Sequence, residues 1–288
     1  MQKSLVWKRG VLLAFIIVIG VSVWADIIFS TSNHSQYFEA HFLDVGQGDA
    51  TFFETPEGVQ VLIDGGKDAS VLRTLASEMG FFDRTIDMVI ATHPDSDHIG
   101  GLIDVLKRYE VKIVVVTENE NDTPTAAAFA AAVAEEGAEL IYARAGQEWQ
   151  LGASTTLTIL FPDRNPIGFE SNASSIITKV QYGEIGFVVT GDAPKSIEEY
   201  IVRQYGDELE SEVMKVGHHG SDTSTADSFV SAVSPEFAVI SAGTDNRYGH
   251  PHREVIKRLA SEPLQIFETA KEGTVSLQSN SIMVWQTK

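Results

Sequence analysis

Between residues 92 and 98 the chain reads Thr92-His93-Pro94-Asp95-Ser96-Asp97-His98, and no other stretch restricts its fold as tightly. Four side chains able to ligate a metal fall within six residues, directly after the apolar run 88–92. A strand sends alternate side chains to opposite faces, so four donors converge only if the chain turns at the strand end. Pro94, Ser96 and the following Ile99-Gly100-Gly101 supply that turn. His93 and Asp95 are then placed for one divalent ion, and Asp97 and His98 for a second. An Asp or Ser ahead of Ile99 would also cap a helix, but a cap requires neither two histidines nor two carboxylates.

Similar loops end other predicted strands. The run 185–190 leads into Gly191-Asp192, and 212–216 into Gly217-His218-His219-Gly220-Ser221. The run 59–63 ends in Asp64-Gly65-Gly66, and 38–43 in Asp44-Val45-Gly46-Gln47-Gly48-Asp49. An Asp-Gly pair alone is a turn. Asp and His at the end of strand after strand indicate loops gathered at one site.

Hydrophobic periodicity predicts strands over 38–45, 50–54, 59–64, 88–92 and 112–117, with helices over 69–79, 99–109 and 125–136. The second half repeats this content. It has strands over 156–161, 176–182, 185–190, 212–216 and 237–241, helices over 197–205, 225–233 and 251–261, and a closing hairpin of 274–278 with 282–286. Hairpins mixed with strand–helix–strand units predict an α/β architecture of two mixed sheets packed together with helices outside.

Lys3, Lys8 and Arg9 precede an apolar run over 11–25, broken by Gly20 and Ser22. Fifteen helical residues reach about 22 Å, short of the roughly 30 Å hydrocarbon core. Val23-Trp24-Ala25 ahead of Asp26 has the pattern of a signal-peptidase site. The expected organisation is a signal peptide or membrane anchor over 1–25, a linker over 26–36 and one α/β domain carrying the candidate ligands over 37–288. The positive-inside rule puts the body outside the cytoplasm, secreted or anchored to the membrane by a single N-terminal helix. No protein partner is deducible.

The chain has no cysteine, which excludes thiol nucleophiles, cysteine–zinc fingers and iron–sulfur clusters. Of the 21 basic residues three lie in the leader, leaving 18 against 40 acidic ones. Such a field repels polyanions, so a nucleic acid would be held weakly, through bound metals.

In combination and in order, His93-x-Asp95-x-Asp97-His98, Gly191-Asp192 and Gly217-His218-His219-Gly220-Ser221 resemble the metallo-β-lactamase fold. Phe42-Leu43-Asp44-Val45-Gly46-Gln47-Gly48-Asp49-Ala50 and Tyr248-Gly249-His250-Pro251-His252 resemble the opening and closing signatures of its ComEC-like competence hydrolase subgroup. The resemblance covers residues 38–286. It implies an αββα sandwich of two mixed β-sheets flanked by helices, with the site at one edge.

It also implies roles. His93 and Asp95 fall on the first-metal positions, Asp97 and His98 on the second, and Asp192 on the bridging carboxylate. His218 falls on the later ligand histidine, with His219 beside it as a ligand or a substrate contact. Asp95 stands where most of the superfamily has histidine. Asn172 occupies the region of a further ligand histidine that is missing here. Asp44, Gln47 and Asp49 of the opening signature, with Asp64, are expected behind the ligands or against substrate. The implied cofactors are two divalent ions. Imidazoles suit zinc and the oxygen-rich remainder suits manganese.

The implied chemistry is hydrolysis by an activated water, with Asp97, His219 and His250 catalytic and Arg247 or backbone amides meeting the phosphate. The implied function is an exported phosphodiesterase or nuclease, linked to DNA uptake or extracellular DNA. The alternatives are a metallo-esterase or lactonase on a small ester, and a catalytically silent binding module of an envelope complex.

Overall fold

The computed structural model describes residues 14–21, 35–119 and 121–287. The chain divides into two compact units, one made of Met1–His34 with Gly80–Asp83 and the other of Ser35–Met79 with Arg84–Lys288. In the first unit residues 14–21 are helical and largely exposed. Most of the expected leader and linker, 1–25 and 26–36, lies outside the described residues. Among the described residues no helix is long and apolar enough to cross a membrane.

The second unit holds two sheets, with strands numbered along the chain. The first contains β1 (Phe38–Phe42), β2 (Thr51–Glu54), β3 (Gln60–Ile63), β4 (Thr85–Ala91), β5 (Glu110–Val116) and β6 (Glu139–Tyr142). The second contains β7 (Glu148–Gln150), β8 (Thr155–Phe161), β9 (Ile177–Tyr182), β10 (Ile185–Val189), β11 (Val213–Lys215), β12 (Phe237–Ile240) and β13 (Gln265–Glu268). The closing hairpin β14 (Val275–Ser279) and β15 (Val284–Gln286) returns to the first sheet, giving the orders β15-β14-β1-β2-β3-β4-β5-β6 and β13-β12-β11-β10-β9-β8-β7. Each sheet is antiparallel on one side and parallel on the other: β3 to β6 are parallel in the first, β10 to β13 in the second.

Phe38, Phe53 and Phe187 meet between the sheets at ring-centroid separations of 5.0 to 5.8 Å. Burying each such side chain stabilises the fold by about 1.5–3 kcal/mol. The outer faces are covered by helices, through Leu75, Leu102, Val105 and Val133 on one sheet and Ile201, Phe229, Val230 and Val255 on the other. The helices are α1 (Ser70–Glu78), α2 (Ser96–Ile99), α3 (Leu102–Arg108), α4 (Pro124–Glu136), α5 (Lys195–Tyr205), α6 (Asp227–Val233), α7 (Arg253–Leu259) and the short α8 (Thr269–Glu272). Two mixed sheets between helices form the expected αββα sandwich. The parallel halves matter for function, because loops after the carboxyl ends of adjacent parallel strands share one edge of a sheet.

The predicted helix over 99–109 is broken into α2 and α3. Gly100 and Gly101 keep helical backbone angles, but the Gly101 N–H donates to the Gly66 carbonyl and the Asp97 carbonyl accepts the Asp49 N–H, which interrupts the helical ladder. A Cβ at Gly100 would strike the Lys67 carbonyl, and one at Gly101 the Gly65 carbonyl. Strands β6, β7 and β13 escape a periodicity reading. All three are sheet edges, β6 is largely exposed, and β7 has three residues.

Candidate metal centre

The segment after β4 turns as its composition requires. Asp95 occupies the N-cap position of α2, yet its side chain makes no capping bond. Its Oδ1 instead accepts from Ser171 Oγ at 2.6 Å and Asn121 Nδ2 at 3.4 Å, which aims Oδ2 toward His93 Nε2, 3.8 Å away. The turn leaves His93 and His98 buried with ring centroids 4.0 Å apart. Gly48 (φ +140°) brings the opening-signature loop beneath this turn, where a Cβ would strike the Asp97 carbonyl. That carbonyl accepts the Asp49 N–H at 3.2 Å.

From the second sheet come Asp192, after β10, and the histidine pair, after β11. His218 and His219 both have left-handed backbones, with φ of 49° and 54°. Non-glycine residues adopt that conformation at a cost and concentrate at functional sites. The consequence is convergence. His219 Nε2 lies 3.6 Å from Asp97 Oδ2 and 3.5 Å from Asp192 Oδ2, while His218 Nε2 lies 3.4 Å from the same Asp192 oxygen. His98 Nε2 is 3.3 Å from Asp192 Oδ1.

The other ring nitrogens explain this orientation. His219 Nδ1 donates to the Ser241 carbonyl at 3.0 Å, which fixes its tautomer because a carbonyl can only accept. Thr92 Oγ1 donates to Asp64 Oδ2 at 2.7 Å, so the same oxygen accepts from His93 Nδ1 at 3.0 Å. His98 Nδ1 donates to Asp64 Oδ2 at 2.8 Å. His218 Nδ1 meets Thr223 Oγ1 at 2.9 Å. All four Nε2 atoms are thereby turned inward.

Among the described residues, His93 Nε2, His98 Nε2, His219 Nε2 and Asp192 Oδ1 are buried without a hydrogen-bond partner. Native proteins avoid leaving such atoms unmatched, and imidazole and carboxylate together are the donor set of a divalent transition metal. The groups His93–His98–Asp192 and Asp97–His98–His219 each bring one ligand atom per residue within 4.8 Å of the others. The residues present therefore fit a metal, with each ligand imidazole held from behind as metal sites require.

The centre has two sides. Asp97, His98 and His219 form an inner side; His93, Asp95 and His218 form an outer one, with Asp192 between. Asn172 lies on the outer side, its Nδ2 3.5 Å from His218 Nδ1. The resemblance gave His218 the ligand position and left His219 open. The geometry makes His219 the more deeply buried of the pair, on the inner side with Asp97, and points both Nε2 atoms at Asp192.

Asp64 and Asp49 stand behind the inner side. Gln47 accepts the Gly243 N–H through Oε1, at 3.2 Å. Asp44 accepts the Gly46 N–H of its own turn at 3.1 Å and does not reach the cluster. His250 lies beyond it, its ring centroid 5.6 Å from that of His218. Sequence reasoning missed Lys215, wholly buried and ion-paired with Asp49, whose Oδ1 is in turn 3.0 Å from His219 Nδ1. A lysine within an otherwise apolar run was the available signal. Ser171, Thr223, Ser241 and Thr92 were missed as well, since hydroxyls and carbonyls carry no signature.

Burial works against every charge here, and the mutual field decides the outcome. Asp192 is nevertheless held well below the usual carboxylate range by His219 and His98, and His98 is raised well above its usual range by Asp192 and Asp64. His219 is pushed up to about 9 by Asp192 and Asp49. Asp97 is lowered by the His219 contact and the His98 charge. Burial, with the neighbouring His98, pushes His93 down to about 4. Without metal the nest thus provides its own cations, His98 and His219, and a metal entering it displaces those protons.

Comparisons with known proteins agree with this geometry. ComE operon protein 3 of Bacillus subtilis is 30% identical over 256 residues, 82% of this chain and 32% of that protein. Competence protein ComA of Neisseria gonorrhoeae is 31% identical over 233 residues, 81% of this chain and 31% of that protein. Recombination protein 2 of Haemophilus influenzae is 30% identical over 242 residues, 81% of this chain and 28% of that protein. The chain thus spans about a third of the length of these curated relatives. Among solved structures it is similar to CmlA, a diiron β-hydroxylase from Streptomyces venezuelae, with TM-score 0.58 and 12% identity over 86% of this chain and 55% of that one. It is also similar to the metallo-β-lactamase fold protein YhfI from Bacillus subtilis, with TM-score 0.53 and 13% identity over 86% of this chain and 99% of that one. At such identity these likenesses concern the fold alone. The sequence profile of the Metallo-beta-lactamase superfamily matches residues 43–244, which take in every residue of the cluster. With two mixed sheets behind that match and competence proteins among its relatives, the chain belongs to the metallo-β-lactamase superfamily, in the company of ComEC-like proteins.

Proposed function

We propose that this protein is a metal-dependent phosphodiesterase using two divalent ions, acting outside the cytoplasm on single-stranded nucleic acid or small phosphodiesters. The observation that carries the reading is the inward aim of four Nε2 atoms, each imidazole held through Nδ1, around Asp192. Asp97, His98 and His219 would hold an inner ion and His93, Asp95 and His218 an outer one, with Asp192 shared. When bound, the ions would supply an activated water and neutralise charge on the phosphate. Asp97 stays ionised and, with its side chain 30% exposed, can accept a hydrogen bond from the attacking water. His250 is pushed down to about 4 by burial and by His218, so it is neutral at pH 7 and can donate or accept a hydrogen bond beside the substrate. Arg247 is exposed on the same rim, near enough to feel the Asp97 charge, and is a candidate phosphate contact.

The phosphodiester substrate is drawn from the relatives' names, competence and recombination proteins, whose processes handle nucleic acid. The deciding assay uses metal-stripped full-length protein reloaded with zinc or manganese. Its substrates are single-stranded DNA, bis-p-nitrophenyl phosphate and a lactone. We expect phosphodiester hydrolysis, weak on DNA, and a loss of at least about 1,000-fold in Asp192→Ala, equivalent to roughly 4 kcal/mol. That variant should also lose most of its metal. Full metal content in it would remove the bridging role, and lactone hydrolysis alone would move the activity to an esterase. Export is tested separately by a phosphatase fused after residue 40, which should be active only outside the cytoplasm.

A further inference from the structure

We propose that the cavity between the outer side of the metal centre and α4 seats a nucleobase of the substrate. This deepens the phosphodiesterase reading and rests on it. The cavity measures about 800 Å³, within the range of small-molecule sites, roughly 300–1,000 Å³. One end is formed by His93 and Pro94, so an occupant lies directly beside the cluster. The walls are apolar, with Ile99, Phe129 and Ala130 among them and exposed Ile167 at the mouth.

Three kinds of occupant can be compared against that lining. A phosphate would need cations, yet no lysine or arginine lines the cavity, and Arg144, which reaches the rim residue Glu118, is engaged in an ion pair with it. A plain hydrocarbon would suit the walls but give no donor to the amide oxygens of Asn119 and Asn121, whose nitrogens are already bonded within the protein, and unmatched polar groups cost affinity. Asn119 Nδ2 already donates to the Phe169 carbonyl and Ser174 Oγ, both at 3.1 Å, so its oxygen is what it offers a ligand. A flat, uncharged heterocycle with polar edges satisfies both parts of the lining. A nucleoside phosphodiester carries such a ring and, one sugar away, the phosphate that belongs at the cluster. Asn121 also reaches Asp95 Oδ1 at 3.4 Å, so it touches both the cavity and a candidate ligand.

The test is binding, which does not depend on turnover. Thymidine and adenosine are titrated into the full-length protein, metal-loaded and metal-stripped, and followed by ligand-detected NMR, with benzyl alcohol as an apolar ring of similar size. Both nucleosides should saturate, with similar affinity in the two forms. Benzyl alcohol should bind at least about tenfold more weakly. Ala130→Trp fills the cavity from an exposed helix position and should weaken nucleoside binding by at least about tenfold with an unchanged melting curve. Ala127→Arg, exposed on the same helix, makes the same measurement should the Trp variant fail to fold. No saturation, equal binding of benzyl alcohol, or full binding in the filled variant would overturn the proposal. Nucleoside binding without phosphodiester hydrolysis would sink the activity and keep the pocket; hydrolysis without nucleoside binding would do the reverse.

Discussion

The two sides of the centre share Asp192 and, through Thr92, Asp64, and differ in most of what else stands behind them. The inner side is backed by buried charge: Asp64 accepts from His98, Thr92 N–H and Thr92 Oγ1, while Asp49 and Lys215 form an ion pair beneath His219. The outer side is backed mainly by neutral hydroxyls and amides, Thr92 behind His93 and Ser171, Asn121, Thr223 and Asn172 around Asp95 and His218. A ligand aimed by buried, fully matched groups loses little on binding metal; one aimed by half-exposed neutral groups must be ordered first. On the proposed two-ion reading the ions should therefore bind unequally, the inner one tightly. Each prediction below either abolishes that inequality or measures it.

The largest effect should come from the ion pair. Lys215→Met leaves the Asp49 carboxylate buried with its main counter-charge gone, a defect worth about 3–5 kcal/mol. Denaturant melts of the metal-stripped protein should show that loss, and the inner ion should weaken with it. Adding Asp49→Asn to Lys215→Met should recover much of the stability, because the isolated charge is then removed. A Lys215→Met protein as stable as the parent would mean that the pair does not support the inner side.

Next comes a pH effect that acts on the outer side. Glu198 on α5 is fully buried and accepts the N–H groups of Thr225 and Ala226 at 2.8 and 2.7 Å, anchoring the loop that carries Thr223 to His218. Burial pushes its carboxyl up to about 7 from 4.5. In the unfolded chain it ionises first. Its contribution is thus fully present below pH 4.5, declines as pH rises and is gone above about 7, a span worth up to about 3 kcal/mol. Unfolding measured at pH 5 and pH 8 should show the parent losing this amount relative to Glu198→Gln. Parallel profiles would refute the linkage. The ionised ligand carboxylates Asp97 and Asp192, with lowered pKa, act oppositely and at lower pH, so the two windows separate.

Removing a single support should cost less. Asp64→Asn keeps the size of the side chain but weakens the acceptor for His98 Nδ1 and Thr92. Such changes behind a ligand lower metal affinity by about 10–100-fold. The loss should be larger at the inner ion, where His98 bonds Asp64 directly, than at the outer one, which Asp64 reaches only through Thr92 and His93, read by competition with a chromophoric chelator. An equal loss at both ions would show that the two sides are not independently built.

How much of this could be read beforehand follows the same division. The candidate ligands could be picked out because strand ends followed by Asp, His and Gly are visible as composition, and the structure brings His93, Asp95, Asp97, His98, Asp192 and the His218–His219 pair together. The sandwich was legible because apolar periodicity survives in the central strands. Support was not. Ser241 acts through its carbonyl, and Lys215 meets Asp49 across 166 residues of chain. Nor could sequence place His218 and His219, since an extended backbone would point them to opposite faces and only the left-handed turn turns both toward Asp192.

The smallest effect should come from the position that departs from the family pattern, and it has the opposite sign. Asn172 lies half-buried on the outer side, 3.5 Å from His218 Nδ1, where an amide is a poor substitute for an imidazole. Asn172→His would add a nitrogen donor of the kind zinc prefers, beside two oxygen donors and the imidazoles of His93 and His218. The outer ion should bind zinc roughly tenfold more tightly, about 1.4 kcal/mol, with manganese improving less because imidazole favours the softer ion. The inner ion, held by groups that the substitution does not touch, should be unchanged. If the inequality between the ions narrows in zinc and persists in manganese, the outer side is weak because of its ligands. If it persists in both, the weakness lies in the exposed neutral groups behind them, and Ser171 and Thr223 become the residues that set it.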